Sequence, residues 1–398
     1  MRSWAARHQV LLWMCVLIAV NQLGFGSVVP VLPLYASSFG VSPAAIGLTV
    51  AVYGLARFLL AVPAGRSADR LGRRGTLALG GAATVLGNLA CAVAPNYELF
   101  LGARFVAGAG AALTLTAAQI VLVDITVPAE RGRAMGLYSG VFAFAVGAGP
   151  FPGGILAEHF GLQAPFLAYA ALGSVVAVLA WLRLPETVHS HAAAAGALKL
   201  PPFGQQIRLL GSNQAFLLIS LISFAAAVAR TGALFNVVPL LVRDRLGLSV
   251  DQIGLGLSLV SLGALLLAYP SGVLVDRLGR KSVIAPATLI SALATAMFAF
   301  APSFAWYLLA CTVWSIALGI SAAAPSAYAA DAAPPGMNAA VMSTYRMLSD
   351  AGYVIGPVAL GLISDVSGAP AALALAGGLL GISALLFARF APETGVPR

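Results

Sequence analysis

Gly65-Arg66-Ser67-Ala68-Asp69-Arg70-Leu71-Gly72-Arg73-Arg74 returns 207 residues later as Gly272-Val273-Leu274-Val275-Asp276-Arg277-Leu278-Gly279-Arg280-Lys281, each copy set between long apolar runs. The same offset pairs Pro63 with Pro270, Asp124 with Asp331, Gly149-Pro150 with Gly356-Pro357, and Gly154 with Gly361. Between Phe39 and Gly75 the two copies agree at 16 of 37 positions. The matches include charged, Gly and Pro residues, which apolar composition alone does not align, so the chain reads as an internal duplication.

With 60% hydrophobic and 9% charged residues, the chain lies far from soluble proteins, in which about a quarter of residues are charged. A membrane span needs about 20 mostly apolar residues. Twelve such stretches occur, near 10–34, 44–64, 76–95, 98–123, 134–156, 165–184, 214–241, 252–271, 283–301, 304–330, 340–364 and 370–391. The net charge of +9 is not gathered into a nucleic-acid-binding arm but falls at every second loop, which is a topology signal. With both termini cytoplasmic, 16 of the 22 Lys and Arg lie inside, and Arg243 and Arg245 lie outside. Arg57, Arg104, Arg230 and Arg346 fall within spans, where an unpaired charge is costly. Arg2 and Arg7 before the first apolar run also suit a secretory signal, but the run is long and has no convincing cleavage site, so it is read as a retained first helix. Cys15, Cys91 and Cys311 lie within spans and read as buried small residues.

Six spans, a polar interval and six more spans divide the chain into an N-terminal bundle (1–184), a cytoplasmic linker (185–213) and a C-terminal bundle (214–398). The expected fold class is an all-α membrane protein of 12 transmembrane helices in two pseudo-symmetric six-helix bundles. His189 and His191 in the linker are too few for a metal site, and no Walker-type phosphate loop appears. No other long polar segment leaves room for a soluble catalytic, nucleotide-binding or DNA-binding domain. The reading is therefore a non-enzyme with no metal, no cofactor, no ATP and no nucleic acid.

The duplicated turn resembles that of the major facilitator superfamily, whose loop between helices 2 and 3 has the pattern G-x-x-x-D-R-x-G-R-R/K. Gly65, Asp69, Arg70, Gly72, Arg73 and Arg74 match it, and Asp276, Arg277, Gly279 and Arg280 repeat it. Glycines permit a tight turn and close backbone approach, and a carboxylate at position 69 suits the partial positive charge of a helix N-terminus. The resemblance implies a conformational latch in which Asp69 meets the start of helix 11 near Ala340, and Arg73 meets Asp124.

Arg104-Phe105-Val106-Ala107-Gly108-Ala109-Gly110 resembles the family's helix 4 motif, in which proton-coupled members use the Arg to influence protonation. The competing explanation is a side chain that snorkels to the surface. Gly149-Pro150-Phe151-Pro152-Gly153-Gly154 is similar to the end of the antiporter signature of drug and metabolite exporters. Helix 1 departs from cation-exporting relatives: Asn21 stands where many carry an acid, and an amide carries no proton. Asp350 is the one carboxylate well inside a span, four residues after Arg346. That spacing puts both on one helix face and favours a structural pair over a proton carrier. Candidate cavity residues are Asn21, Gln22, Arg57, Arg230 and Asn236.

These features together imply a secondary transporter exporting small organic molecules by proton antiport with alternating access. The alternatives are an uncoupled facilitator or importer of a small organic anion or other metabolite, and a non-transporting membrane receptor. The expected setting is the cell's inner membrane, multi-pass in the lipid bilayer, as a monomer with both termini cytoplasmic.

Overall fold

The computed structural model describes residues 4–125, 128–184, 210–321, 324–332 and 338–393, and among them the chain is helical with no β-strand. Twelve of the described helical segments are long and apolar enough to cross a membrane. Leu12, Leu86, Leu266 and Val366 point outward from them, as lipid-facing side chains do.

The first half runs through α1 (Trp4–Val28), α2 (Leu32–Ser37), α3 (Pro43–Arg70), α4 (Gly72–Ala92), α5 (Tyr97–Ile125), α6 (Pro128–Ala148), α7 (Pro150–Phe160) and α8 (Ala164–Arg183). The second runs through α9 (Gln214–Val228), a π-helical stretch α10 (Ala229–Val237), α11 (Val238–Leu246), α12 (Val250–Leu278), α13 (Lys281–Ala299), α14 (Phe304–Ile320), α15 (Ala324–Asp331), α16 (Asn338–Ser367) and α17 (Ala369–Phe390). Three expected spans are broken rather than continuous, the tenth where Ser321 ends α14 ahead of α15. Pro30 and Pro33 divide the first into α1 and α2, and Gly149-Pro150 divides the fifth into α6 and α7, because proline removes a helix donor and clashes with the preceding turn.

The duplication is written into the backbone. The glycines with positive φ among the described residues form three pairs at the same offset of 207: Gly40 with Gly247 (71° and 65°), Gly72 with Gly279 (82° and 84°), and Gly161 with Gly368 (88° and 83°). Each ends or begins a helix in a conformation that a Cβ disfavours.

By compactness the described residues divide into two units. The first gathers them from within Met1–Val41, Val52–Ala195 and Ser249–Ser258, and the second from within Ser42–Ala51, Gly196–Leu248 and Leu259–Arg398. Residues 42–51 and 249–258 thus join the unit opposite to the one a division at the linker gives them. Residues 185–209 of the linker, with His189 and His191, lie outside the described residues. In the first unit Met14, Leu17, Ile18, Leu77, Leu122 and Val176 form an apolar core. At one corner Tyr35 packs edge-on to Phe100 and donates its hydroxyl to the Cys91 carbonyl at 3.2 Å. Burial pushes that hydroxyl above the usual tyrosine range, which keeps it a donor. The second unit's core includes Ile219, Ile284, Tyr328 and Phe387.

Candidate functional site

The charged segment is less of a loop than its composition implies. α3 continues to Arg70 and α4 begins at Gly72, so Leu71 alone separates them. Gly72 and Gly279 make the turn with positive φ. Gly65 does not share that role: it lies inside α3, and a Cβ there would meet open space. Arg73 Nε donates to Asp124 Oδ2 at 2.9 Å, and a second nitrogen donates to the Ala68 carbonyl at 3.0 Å. The guanidinium thereby fixes the end of α5 to the turn. The second copy repeats the ion pair, Arg280 with Asp331, but its guanidinium donates to the Ala327 carbonyl of α15 and not to the helix before the turn. Arg74 lies over the Trp181 ring at 4.4 Å, and Arg70 is exposed. The side chains of Asp69, Asp276, Arg277 and Ala340 lie outside the described residues.

At the opposite ends of these helices, two seams carry close backbone contacts. In the first unit a Cβ on Gly154 would sit 2.6 Å from the Val250 carbonyl oxygen, and one on Gly254 would overlap the Pro150 carbonyl. In the second a Cβ on Gly361 would sit 2.5 Å from the Pro43 carbonyl oxygen, and one on Gly47 would overlap the Pro357 carbonyl. Small residues are what lets membrane helices approach this closely. A carboxylate closes each seam. Glu158 Oε2 accepts from the Val250 amide at 3.1 Å, and Asp365 Oδ2 accepts from the Ala44 amide at 3.1 Å. Val250 and Ala44 stand in the first turns of α12 and α3, where the helix dipole favours an anion. In the first seam Ser258 also accepts from the Phe151 amide at 2.9 Å. The glycine–proline turn of helix 5 reaches α1 as well, since Cβ atoms on Gly149 or Gly153 would strike the backbone of Leu23 or Ser27.

The first unit buries a polar cluster. Arg104 is 2% exposed and does not snorkel; its guanidinium lies 4.5 Å from the Tyr53 ring centre, in cation–π geometry. Tyr53 stacks on Phe25 at 5.4 Å. Tyr169 fills the space left by Gly24 and lies within electrostatic reach of Tyr53, Arg104 and Arg57. Asn21 and Gln22 are buried and bonded to each other at 2.9 Å, and Asn21 Oδ1 has no hydrogen-bond partner among the described residues.

In the second unit Arg230 lines a cavity of about 180 Å³. Asn236 does not: it is buried, with its amide donating to the Pro357 carbonyl at 3.4 Å. The expected pair of Arg346 with Asp350 is not formed, although the two share a face of α16. The i, i+4 spacing permits such a pair without imposing it, and an exposed guanidinium gains little from one. Among the described residues Asp350 has no ion-pair partner. The cysteines are buried free thiols, and no group of three or more His, Cys, Asp or Glu side chains comes together among the described residues.

The family profile described as Major Facilitator Superfamily matches residues 14–249 and 219–398. The chain belongs to the major facilitator superfamily. It is 24% identical over 356 residues to an uncharacterised MFS-type transporter of Methanocaldococcus jannaschii, covering 87% of this chain and 89% of that one. It is 25% identical over 362 residues to Multidrug resistance protein 2 of Bacillus subtilis, covering 88% and 87%. With the class C tetracycline resistance protein of Escherichia coli the identity is 29% over 289 residues, covering 71% and 72%. Among solved structures, a bacterial homologue of the human lysosomal transporter Spinster, inward-facing and unoccupied, superposes with a TM-score of 0.79 at 18% identity over 97% of each chain. The nucleoside transporter NupG gives 0.79 at 15%, covering 95% of this chain and 98% of that one. These two likenesses establish the fold.

Several residues of this facilitator that the motifs do not mark lie against the motif residues or at the seams. Tyr53 and Tyr169 surround Arg104, and a lone aromatic in an apolar span carries no spacing signal. Glu158 and Asp365 did have a signal, since they stand at the offset of 207.

Proposed function

We propose that this facilitator is a secondary active transporter that exports small organic molecules in exchange for protons, by alternating access. The observation that carries the reading is the pair of glycine seams, each closed by a single carboxylate on a helix N-terminus. Close packing without interlocking side chains, held by one charge-assisted bond, is a contact that forms and parts at low cost. Residues Gly65 to Arg74, with the Arg73–Asp124 pair, supply the matching latch at the other helix ends. The resistance functions named for the Bacillus and Escherichia relatives support export, as does the Gly149-Pro150 turn. Arg104 and Asp350 are the proton-coupling residues of this reading: Asp350 carries the proton, and the buried guanidinium biases protonation in the first unit. The protein works as a monomer in the cytoplasmic membrane with both termini inside.

Purified protein in lipid vesicles with an imposed pH gradient tests this. Gradient-driven flux of at least one organic compound, with counterflow of protons, is the expected result. Asn21, which cannot titrate, favours a second reading as an uncoupled facilitator or importer of an organic anion. Flux indifferent to the gradient would establish that reading instead.

A further inference from the structure

The cavity in the second unit differs in chemistry from the glycine seams and from the Arg104 cluster. Its described lining residues come from α9, α10, α13, α14, α15, α16 and α17, so it is lined by one unit. Arg230 is the single cation among them, and none is acidic. Arg230 and Ala226 are the exposed lining residues and mark the mouth, while Trp314 and Leu380 are buried. Arg230 is the second residue of the π-helical stretch α10, and such wide turns are frequent at functional positions.

Of the six hydroxyls on the wall, those of Thr288, Ser291 and Ser321 have a definite polarity. Thr288 donates to the Ile284 carbonyl at 2.8 Å, Ser291 to Ala287 at 3.1 Å and Ser321 to Ala317 at 2.9 Å. Each proton is thus committed to its own helix, and what the oxygen offers the cavity is lone pairs. A ligand here meets a guanidinium at the mouth, acceptors on the wall, and the apolar surface of Trp314 and Leu380. The volume, about 180 Å³, slightly exceeds the roughly 150 Å³ at which an apolar cavity takes up one benzene ring. One ring with a small substituent fits.

We propose that this cavity binds single-ring aromatic carboxylates that carry a hydroxyl donor, with the carboxylate on Arg230, the ring against Trp314 and the hydroxyl on Thr288, Ser291 or Ser321. As a statement about the transported substrate this rests on the exporter reading above; as a statement about binding it does not. Arg230 supplies the charge, which selects an anion over a neutral or cationic analogue.

The test is equilibrium binding of radiolabelled 4-hydroxybenzoate to the full-length protein in lipid nanodiscs, with flux of the same compound measured in vesicles. Competition should rank 4-hydroxybenzoate above benzoate, and both above 4-hydroxybenzyl alcohol and 4-hydroxybenzyl-trimethylammonium. Arg230→Gln should weaken 4-hydroxybenzoate about tenfold to a hundredfold, the range for a lost charge-assisted bond, and leave the alcohol within about twofold. Arg230→Lys should restore much of the loss, which separates charge from folding. Equal competition by the ammonium compound, or an unaltered affinity in Arg230→Gln, overturns the proposal. If other organic compounds move in vesicles while 4-hydroxybenzoate neither binds nor moves, the cavity assignment is wrong and the exporter reading stands. If 4-hydroxybenzoate binds through Arg230 while no compound moves, the binding site is supported and the exporter reading fails.

Discussion

Replacing Asp124 by Asn should cost this transporter far more stability than the equivalent change at Asp331, although the two acids occupy matching positions in the duplication. In the Arg73–Asp124 pair the side chains are 10% and 3% exposed and meet at 2.9 Å, whereas in Arg280–Asp331 they are 21% and 33% exposed. Removing one partner of a buried pair strands the other charge, at a cost of about 3–5 kcal/mol; an exposed pair contributes about 0–1 kcal/mol. Arg73 keeps its bond to the Ala68 carbonyl, so the low end, about 3 kcal/mol, is the expected loss. For a unit of roughly 200 residues, each kcal/mol moves Tm by about 2–4 °C. Asp124→Asn should then lower Tm by about 6–12 °C, and Asp331→Asn by no more than about 4 °C. A thiol-reactive dye can read the transition, because Cys15, Cys91 and Cys311 are all buried and become labelled on unfolding. Arg73→Gln combined with Asp124→Asn replaces the charges by a neutral bonded pair and should recover much of the loss. An equal or larger shift in Asp331→Asn would show that burial does not set the strength of these pairs.

Other expectations follow from the seams and the buried charges. Glu158→Ala should speed labelling of a reporter cysteine at Ser258, which is 4% exposed, in a background without the native cysteines; unchanged labelling would mean that the cap does not hold the seam. Gly47→Ala should abolish flux at normal expression, because its Cβ overlaps the Pro357 carbonyl, while Gly140→Ala, with open space around it, should transport normally. Asp350→Asn should retain substrate exchange and lose its pH dependence, and loss of all exchange would return Asp350 to a structural role. Arg104→Ala should uncouple flux from the pH gradient more than Arg104→Lys does, and full gradient-driven flux in both would return Arg104 to a structural role.

Much of the fold was legible because the membrane makes helices long and apolar and the duplication states each motif twice. The positive-φ glycines and the arginine–aspartate pairs sit where the register of 207 puts them, whereas the break at Gly149-Pro150 is not repeated, since Pro357 lies inside an unbroken α16. Glu158 and Asp365 obey that register too, but a Glu facing an Asp is not an identity and escapes a comparison of identical residues. Arg346 and Asp350 show the opposite failure: spacing sets which helix face two residues share, and not whether their side chains meet. The π-helical winding around Arg230 leaves no mark in hydrophobic periodicity, since its nine residues mix Arg230, Thr231 and Asn236 with apolar neighbours and set no clear face. The cavity it borders depends on several helices at once, which no local pattern encodes.

The reassignment of residues 42–51 and 249–258 bears on how such proteins can be recombined. A chimera made by exchanging halves with a relative at the linker would seat each borrowed ten-residue segment against a foreign surface. At Gly154–Val250 and Gly361–Pro43 that surface is backbone, which differs little between sequences, whereas the carboxylate that reaches the helix start is a side chain and does differ. Crossovers that carry Glu158 together with 249–258, and Asp365 together with 42–51, keep each acid with the amide it caps. The natural units of exchange in this chain are therefore interleaved, and a cut at its midpoint divides both.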